Sequence, residues 1–281
     1  MARGLRDIAG EAILLAGGGR AILLQIAHPG VGLGVAEHSD FASRPLDRLH
    51  ATMTYVYAVV YGSDEEIAAV RRRVNLAHAP VRSGTDAAGP AYNAFDPELQ
   101  LWVAATLYDT AVDLYQRIFG EFDDASAECV FREYGALGTS LQVQPDAWPA
   151  TRAAFRAYWD DMLPRLQVTD ATRRVARDLL LPKAVPLWLT ALMPLARLMT
   201  VGLLPPELRA GFGLRWTPRN DRRFRRWLRV MAVVVPRLPA RFRHSLRDHE
   251  LAKLRRSLRS PSARPTGSSN RSGPAARARA Q

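Results

Sequence analysis

The sequence predicts an all-α fold, formed by a single globular domain of many helices. Apolar side chains recur three and four residues apart through most of the chain, which is the spacing of one helix face. Runs that alternate between apolar and polar residues, as strands do, are weak. The chain has 281 residues, of which 48% are hydrophobic, and that is enough to form one large core.

The order of the predicted helices follows from this periodicity and from the residues that interrupt it. The first helix is predicted over 8–27, with an interruption at Gly17 to Gly19. Residues 29–45 are predicted as a loop, because Gly, His, Ser and Pro are frequent there, and 83–95 as turns. The remaining helices are predicted at 46–61, 64–79, 97–119, 123–135, 146–163, 170–181, 186–203, 219–235 and 238–256.

Two of these helices have clear end signals. Ser63 or Asp64 caps the helix that starts at residue 64. Asp96 precedes Pro97 at the start of the long helix, where proline is favoured in the first turn, and Gly120 closes that helix.

Positive charge is concentrated at the C-terminal end. The chain carries a net charge of +12. Residues 236–281 contain twelve Arg or Lys against only Asp248 and Glu250, so the first 235 residues are close to neutral. The last stretch is rich in Ser, Pro, Ala and Arg and has few apolar side chains to bury. We therefore predict a helical domain over 1–256 and a disordered basic tail over 257–281.

The N-terminal segment and the single cysteine bear on location. Cys129 allows neither a disulfide framework nor a thiolate metal site, which fits a reducing compartment. The first twenty residues have the basic start and apolar centre of a signal peptide, but Asp7 and Glu11 interrupt them. We expect a cytoplasmic protein without a signal peptide.

The apolar run over residues 184–204 is long enough to span a bilayer. It contains Pro186, Pro194 and Arg197, and a central arginine costs about 2.5–3.5 kcal/mol on the insertion scale. These residues favour a buried helix, or a helix pair broken at proline, over a membrane span. A peripheral membrane contact stays open.

Several common kinds of site are excluded by missing motifs. There is no HExxH or CxxC pattern for zinc, no Walker A lysine motif and no GxSxG elbow. Gly17 to Gly19 lack the preceding strand and the GxGxxG spacing of a dinucleotide site. Gly30, Gly32 and Gly34 alternate in the predicted loop and are interpreted as turn residues.

His78 is the most informative of the six histidines. It falls on the apolar side of its helix, in the last turn, together with Ile67, Val70, Val74, Ala77 and Val81. A histidine in this position is either a core residue bonded to a carbonyl or a ligand, and spacing alone does not decide between the two.

Two arginines accompany this histidine, one in the preceding predicted helix and one four residues after it. Arg48 and Thr52 are four residues apart and share a helix face, and Arg82 follows His78 by four residues. Arginine suits a cofactor that carries carboxylates better than it suits a bare dication. A solvated or salt-bridged side chain is the alternative for each arginine.

A series of blocks resembles the MpaB/rubber-oxygenase catalytic domain family, which includes the latex clearing proteins. The blocks are QIAHPGVGLGVAEHSDF (25–41), RPLDRLHATMTYVYAVVYG (44–62), HAPVRSG (78–84), YNAFDPELQLWVAATL (92–107), LPPELRAGFGLRWTP (204–218) and PRLPARFR (236–243). The resemblance covers roughly residues 8–250 in order. It is specific as a series, while each block alone is weak.

The resemblance implies an all-helical domain that encloses a pocket for haem b. His78 matches the iron ligand of the family's H-A-x-V-R block, and Arg82 is the arginine that closes the block. Arg48 and Thr52 match a pair that is important for haem retention or activity. The rubber-cleaving members have a lysine just before that threonine, where this chain has Ala51. They also use a distal glutamate, for which Glu37 is the nearest candidate.

The function that the resemblance implies is haem-dependent oxygenation. O2 would be the co-substrate, and the substrate would be an apolar small molecule, alkene-containing or terpenoid-like. Because Ala51 replaces the lysine, a non-catalytic haem protein, a sensor or store, is the first alternative. A haem-free helical binding protein is the second. Nucleic acid is not an expected partner, and the sequence does not define the oligomeric state.

Overall fold

The fold is seen in a computed structural model of the chain. It describes residues 3–38, 45–83, 92–139, 147–182 and 186–259. The tail predicted from residue 257 lies outside the described residues, except for 257–259, which belong to the last helix.

The described residues form an all-helical domain, as predicted. Their one backbone bridge pairs Arg82 with Asn93 in antiparallel fashion. Short 3-10 turns connect several of the helices. The fourteen α-helices in the described ranges are α1 (Leu5–Ile8), α2 (Gly18–Ala27), α3 (Pro29–His38), α4 (Pro45–Tyr61), α5 (Asp64–His78), α6 (Pro97–Phe119), α7 (Asp124–Thr139), α8 (Arg152–Met162), α9 (Asp170–Leu180), α10 (Leu187–Leu203), α11 (Pro206–Gly211), α12 (Pro218–Val234), α13 (Ala240–Arg243) and α14 (Ser245–Arg259).

The predicted end signals of α5 and α6 are confirmed. Ser63 Oγ accepts a hydrogen bond from the Glu66 amide, and Glu66 Oε2 accepts one from the Ser63 amide, at 3.3 and 3.0 Å. Asp96 Oδ1 accepts from the Glu98 amide at 2.8 Å. Gly120 ends α6 with φ +93°, a conformation that favours glycine.

The predicted loop over 29–45 is wrong for its first ten residues, which form α3. Gly30, Gly32 and Gly34 are not turn residues but allow close packing. A Cβ on Gly32 would lie 2.4 Å from the Ile26 carbonyl oxygen, so α3 can fold back on α2 only with glycine there. The two segments meet at 106°.

The predicted helix over 8–27 is also divided differently. α1 ends at Ile8, a 3-10 turn covers Ala12–Gly17, and α2 starts at Gly18. A Cβ on Gly19 would lie 2.1 Å from Thr200 Oγ1 of α10. The glycines therefore mark a close helix contact that periodicity alone does not show.

The apolar run over 184–204 contains α10, a continuous helix that has Pro194 in its interior rather than a break at it. Met199 and Leu203 are buried, while Leu187 and Leu192 at its beginning are exposed. Within the described ranges no single helix combines the length and apolarity needed to cross a membrane. One bent pair, 12–27 with 29–38, does so by length and composition only.

Helix α2 lies at the centre of the domain, where it packs against α3, α6, α9 and α10. Its Arg20 is buried and donates to three partners on other helices. The acceptors are Asp109 Oδ2 at 2.5 Å, Thr110 Oγ1 at 2.7 Å and the Leu203 carbonyl at 3.0 Å. Burial raises the pKa of Asp109, and the Arg20 guanidinium opposes that rise.

We expect Arg20→Ala to lower the free energy of unfolding by roughly 3–5 kcal/mol, because it leaves a mostly buried carboxylate without its cation. Chemical denaturation measures the change. Arg165 pairs with Asp161 on the surface, so Arg165→Ala is the control and should cost less than about 1 kcal/mol. Equal effects of the two changes would contradict the central role of Arg20.

Candidate functional site

His78 is the last residue of α5 and is half-buried. Its ring lies edge-on to the Phe95 ring, with centroids 6.4 Å apart. Burial lowers the pKa of His78 below its usual value, and the nearby positive charge of Arg48 lowers it further. The imidazole is therefore neutral at pH 7. Within the described part of the chain neither of its nitrogens has a hydrogen-bond partner, so a lone pair is available to a ligand.

Arg48 reaches the same site from α4, with Thr52 one turn further along the helix. Solvent reaches part of the Arg48 side chain, yet burial lowers its pKa from the usual value. A guanidinium stays charged at pH 7 even so. The structure therefore brings His78 and Arg48 into electrostatic contact, although 30 residues separate them in the sequence.

The opposite face of α4 explains how Arg48 and Thr52 are positioned. Glu250 of α14 is buried; its Oε1 lies 2.7 Å from His50 Nδ1, and its Oε2 accepts from Thr54 Oγ1 at 2.8 Å. Residues 50 and 54 lie about 200° around the helix from 48 and 52. By binding α14 on one face, α4 presents Arg48 and Thr52 on the other.

Helix α14 also holds the start of α5. Arg255 of α14 donates to Glu66 Oε1 of α5 at 2.7 Å, and this bond is the main reason why the pKa of Glu66 is lowered. Helix α14 therefore holds both α4 and α5, and with them Arg48 and His78.

Arg82 follows His78 in a short extended segment. The Ser83 amide donates to the Tyr92 carbonyl and the Ala94 amide donates to the Val81 carbonyl, both at 2.9 Å. The Arg82 side chain is exposed, and in the described ranges no interaction joins it to His78. The pairing places Phe95 against His78, but Arg82 is not brought into contact with it.

Glu37, at the end of α3, faces the same extended segment. Its Oε2 accepts a hydrogen bond from the Tyr92 hydroxyl at 2.5 Å, and His38 Nε2 lies 2.9 Å from that hydroxyl. Burial, and then the Glu37 carboxylate, raise the pKa of Tyr92 to about 12, so the phenol keeps its proton. Glu37 thus has an oriented carboxylate, which is what a residue that accepts a proton needs.

The bonded pair of Glu37 and Tyr92 lies close to the region of His78, and Gly34 is the residue at which the two regions approach each other. A Cβ on Gly34 would lie 3.3 Å from the Tyr92 ring and 3.4 Å from Val81 Cγ1, three residues after His78. Residues 39–44 and 84–91, which continue from these elements, lie outside the described residues.

Sequence reasoning missed Tyr92 and Phe95 as site residues. Both lie in the block YNAFDPELQ, which carried the resemblance but no assigned role. The sequence marked them only as two aromatic residues close to a predicted turn. The side chains that they contact depend on the backbone hydrogen bonds between residues 81–83 and 92–94.

His28, between α2 and α3, is a second half-buried imidazole, and it lies near the start of α6. Its Nδ1 is buried without a hydrogen-bond partner in the structure, and burial lowers its pKa. Its ring centroid lies 6.5 Å from that of Trp102. Among the described residues no group of three or more His, Cys, Asp or Glu side chains could hold a metal ion. The iron of a haem needs one protein ligand on its proximal side, and the chemistry of His78 and Arg48 fits that cofactor.

The described structure thus combines an all-helical fold with a site that holds a histidine, an arginine and an oriented carboxylate. The chain belongs to the family described as "ER-bound oxygenase mpaB/B'/Rubber oxygenase, catalytic domain", whose model matches residues 5–233. It is therefore a member of a family of oxygenases.

Individual proteins are also similar to this chain. An uncharacterised protein of Mycobacterium bovis and one of Mycobacterium tuberculosis are each 37% identical over 225 residues, which is 78% of this chain and 88% of theirs. A solved structure of latex clearing protein in the closed state matches with a TM-score of 0.55 and 19% identity. The match covers 88% of this chain and 71% of that chain, and it shows the shared fold.

We expect Tyr92→Phe to loosen the extended segment beside His78, because it removes the hydroxyl that bonds Glu37 and His38. The amides of Ser83 and Ala94 should exchange with solvent up to about tenfold faster, the equivalent of one hydrogen bond. Hydrogen exchange measures this, with Tyr158→Phe in α8 as the control. Unchanged exchange in Tyr92→Phe would show that the hydroxyl does not hold this segment.

Proposed function

We propose that this protein is a haem b-dependent oxygenase in which His78 is the iron ligand. O2 is the co-substrate, and the substrate is an apolar, alkene-containing or terpenoid- or lipid-like molecule. The observation that carries the proposal is the state of His78: a half-buried, neutral imidazole without a hydrogen-bond partner in the described residues, beside a guanidinium. Family membership supports the oxygenase class.

The residues around His78 have distinct roles in this proposal. His78 offers its lone pair to the iron, and its low pKa keeps that lone pair free of a proton at pH 7. Arg48 binds a propionate, because a guanidinium matches a carboxylate in shape and charge. Thr52, on the same face of α4, would offer its hydroxyl as a hydrogen-bond donor to the cofactor. Arg82 is a second candidate for a propionate, supported by its position in the family block and its exposure.

Haem b, when bound, supplies the activation of O2 and the transfer of oxygen to a double bond. The chain supplies orientation and proton handling. Tyr92 donates to Glu37 Oε2 and holds the carboxylate in one position, so its other oxygen can accept a proton from the substrate. Phe95 covers one edge of His78 and limits access of water.

One departure supports a second candidate, a haem protein that stores or senses without turnover. Ala51, which is exposed, stands where the rubber-cleaving members have a lysine. Incubation of the haem-loaded protein with a polyprenoid alkene under O2 separates the two. Oxygenated products would support the oxygenase, and haem binding without products would support the sensor or store.

A reducing location is part of the proposal. It rests on the sequence, in which Cys129 is the single cysteine, because proteins of oxidising compartments favour paired cysteines.

We expect His78→Ala to lose most of its haem, because the iron loses its protein ligand. The measurements are the visible absorbance spectrum and pyridine haemochrome content of the purified protein. His249→Ala, an exposed histidine of α14, is the matched control and should keep the haem content of the unchanged chain. Full haem occupancy in His78→Ala would remove this residue from the ligand role, and absence of haem from the unchanged, reconstituted chain would overturn the whole proposal.

We expect Arg48→Ala and Thr52→Ala to weaken haem retention without unfolding the domain, since both side chains lie on a face of α4 that α14 does not use. The rate of haem transfer to apomyoglobin should rise several-fold to tenfold, the worth of one charge-assisted hydrogen bond. Arg132→Ala, on α7, is the control. A transfer rate that stays at the control value in both variants would show that neither residue contacts the cofactor.

A further inference from the structure

Large apolar side chains lie in solvent along one continuous segment of the chain, residues 227–242. They belong to the second half of α12, the 3-10 turn after it, and α13. Their exposed fractions are 36–57%. We call this set the apolar patch, and it consists of Trp227, Val230, Val233, Val234, Leu238 and Phe242. Six of the ten exposed large hydrophobics among the described residues thus fall within sixteen positions, which is more than scattered exposure would give.

The apolar patch is not the core-facing side of α12. Phe224, Leu228 and Met231 form that side and pack with residues of α6 and α10. Trp227, Val230 and Val234 follow one another at three- and four-residue spacing on a different side. The helix therefore has a second apolar face, which the described residues leave exposed.

Arginines surround the apolar patch. Residues 215–243 contain ten arginines and one acid, Asp221, which is paired with Arg225. Arginines of α12, together with Arg117 of α6, line a groove of about 870 Å³ that is open to solvent. Arg226 lies four residues before Val230, and Arg229 lies four before Val233, so arginines of the groove lie on the same side of α12 as part of the apolar patch.

We propose that this surface docks on an anionic lipid bilayer. Arginine guanidinia bind lipid phosphates, and valine, leucine, phenylalanine and tryptophan side chains enter the interface between headgroups and acyl chains. A nucleic acid would pair with the arginines but would offer no environment for the aliphatic side chains. The combination of the two features selects the bilayer.

The neighbouring helix also exposes a large apolar side chain. α10 packs against α12, and Leu187, at its beginning, is 88% exposed. The proposed contact is peripheral, because side chains of α12 and α13 would reach only the headgroup region and the outer ends of the acyl chains. This inference is independent of the proposed oxygenase activity, because none of its residues belongs to the site around His78.

The test is co-sedimentation of the full chain with vesicles of phosphatidylcholine, with and without one-third phosphatidylserine. We expect binding to the anionic vesicles that weakens as salt is raised. The triple change Arg222→Gln, Arg226→Gln and Arg229→Gln should weaken binding on the order of a hundredfold, since each basic residue near an anionic surface contributes about fivefold. The triple change Val230→Ser, Val233→Ser and Phe242→Ser should weaken it at least tenfold, because the apolar area no longer inserts.

Matched variants keep the result specific. Arg71→Gln, Arg132→Gln and Arg174→Gln remove the same charge from exposed positions elsewhere, and Leu76→Ser removes a leucine that is 77% exposed. A third control replaces four tail arginines with Gln: Arg264, Arg271, Arg277 and Arg279. All three controls should bind as the unchanged chain does, and circular dichroism should show that every variant is folded.

Three outcomes would overturn the proposal. The first is no binding of the unchanged chain to anionic vesicles. The second is binding that the tail variant loses and the α12 variants keep. The third combines three results: the serine variant binds in full, the arginine variant does not bind, and double-stranded DNA competes with the vesicles. Together they would identify a surface for polyanions instead of a membrane surface.

Discussion

Arg20 is the residue on which the arrangement of the central helices depends. Its guanidinium connects α2 to α6 through Asp109 and Thr110, and to the end of α10 through the Leu203 carbonyl. A buried guanidinium with three acceptors fixes both the rotation of its helix about the helix axis and the position of that helix along the axis. Because α3 folds back from α2 at a fixed angle, the position of Glu37 depends on the same anchor.

A second anchor, α14, determines the other half of the site. Glu250 binds one face of α4 and Arg255 binds the start of α5. Arg48 and His78 project from these two helices, so their proximity depends on a helix near the C-terminal end of the described chain. The site is thus assembled from two separately anchored parts, α2 with α3 and α4 with α5, which meet where Gly34 lies close to Val81 and Tyr92.

The site around His78 and the arginine-rich surface of α12 differ in how their charged side chains are arranged. At His78, one arginine lies beside a neutral imidazole in a half-buried place, where each polar group has a defined position. On α12, many arginines surround exposed apolar side chains, and a fluid, extended partner is needed to satisfy them together. An oxygenase that acts on lipid-like molecules would meet its substrate at such an interface.

The sequence by itself determined the fold class, most helix limits and the residues of the family blocks. Caps such as Ser63 and Asp96 act within one turn, so their effect can be read locally. The tertiary structure alone decided that Gly30, Gly32 and Gly34 belong to a helix, because the reason for each is a neighbour distant in sequence or across a sharp bend. It also decided that Tyr92 meets Glu37, and that the charge of Arg48 acts on His78 while Arg82 has no interaction with it in the described ranges. Those contacts depend on how whole helices are rotated and packed, and residue spacing within one segment does not contain that information.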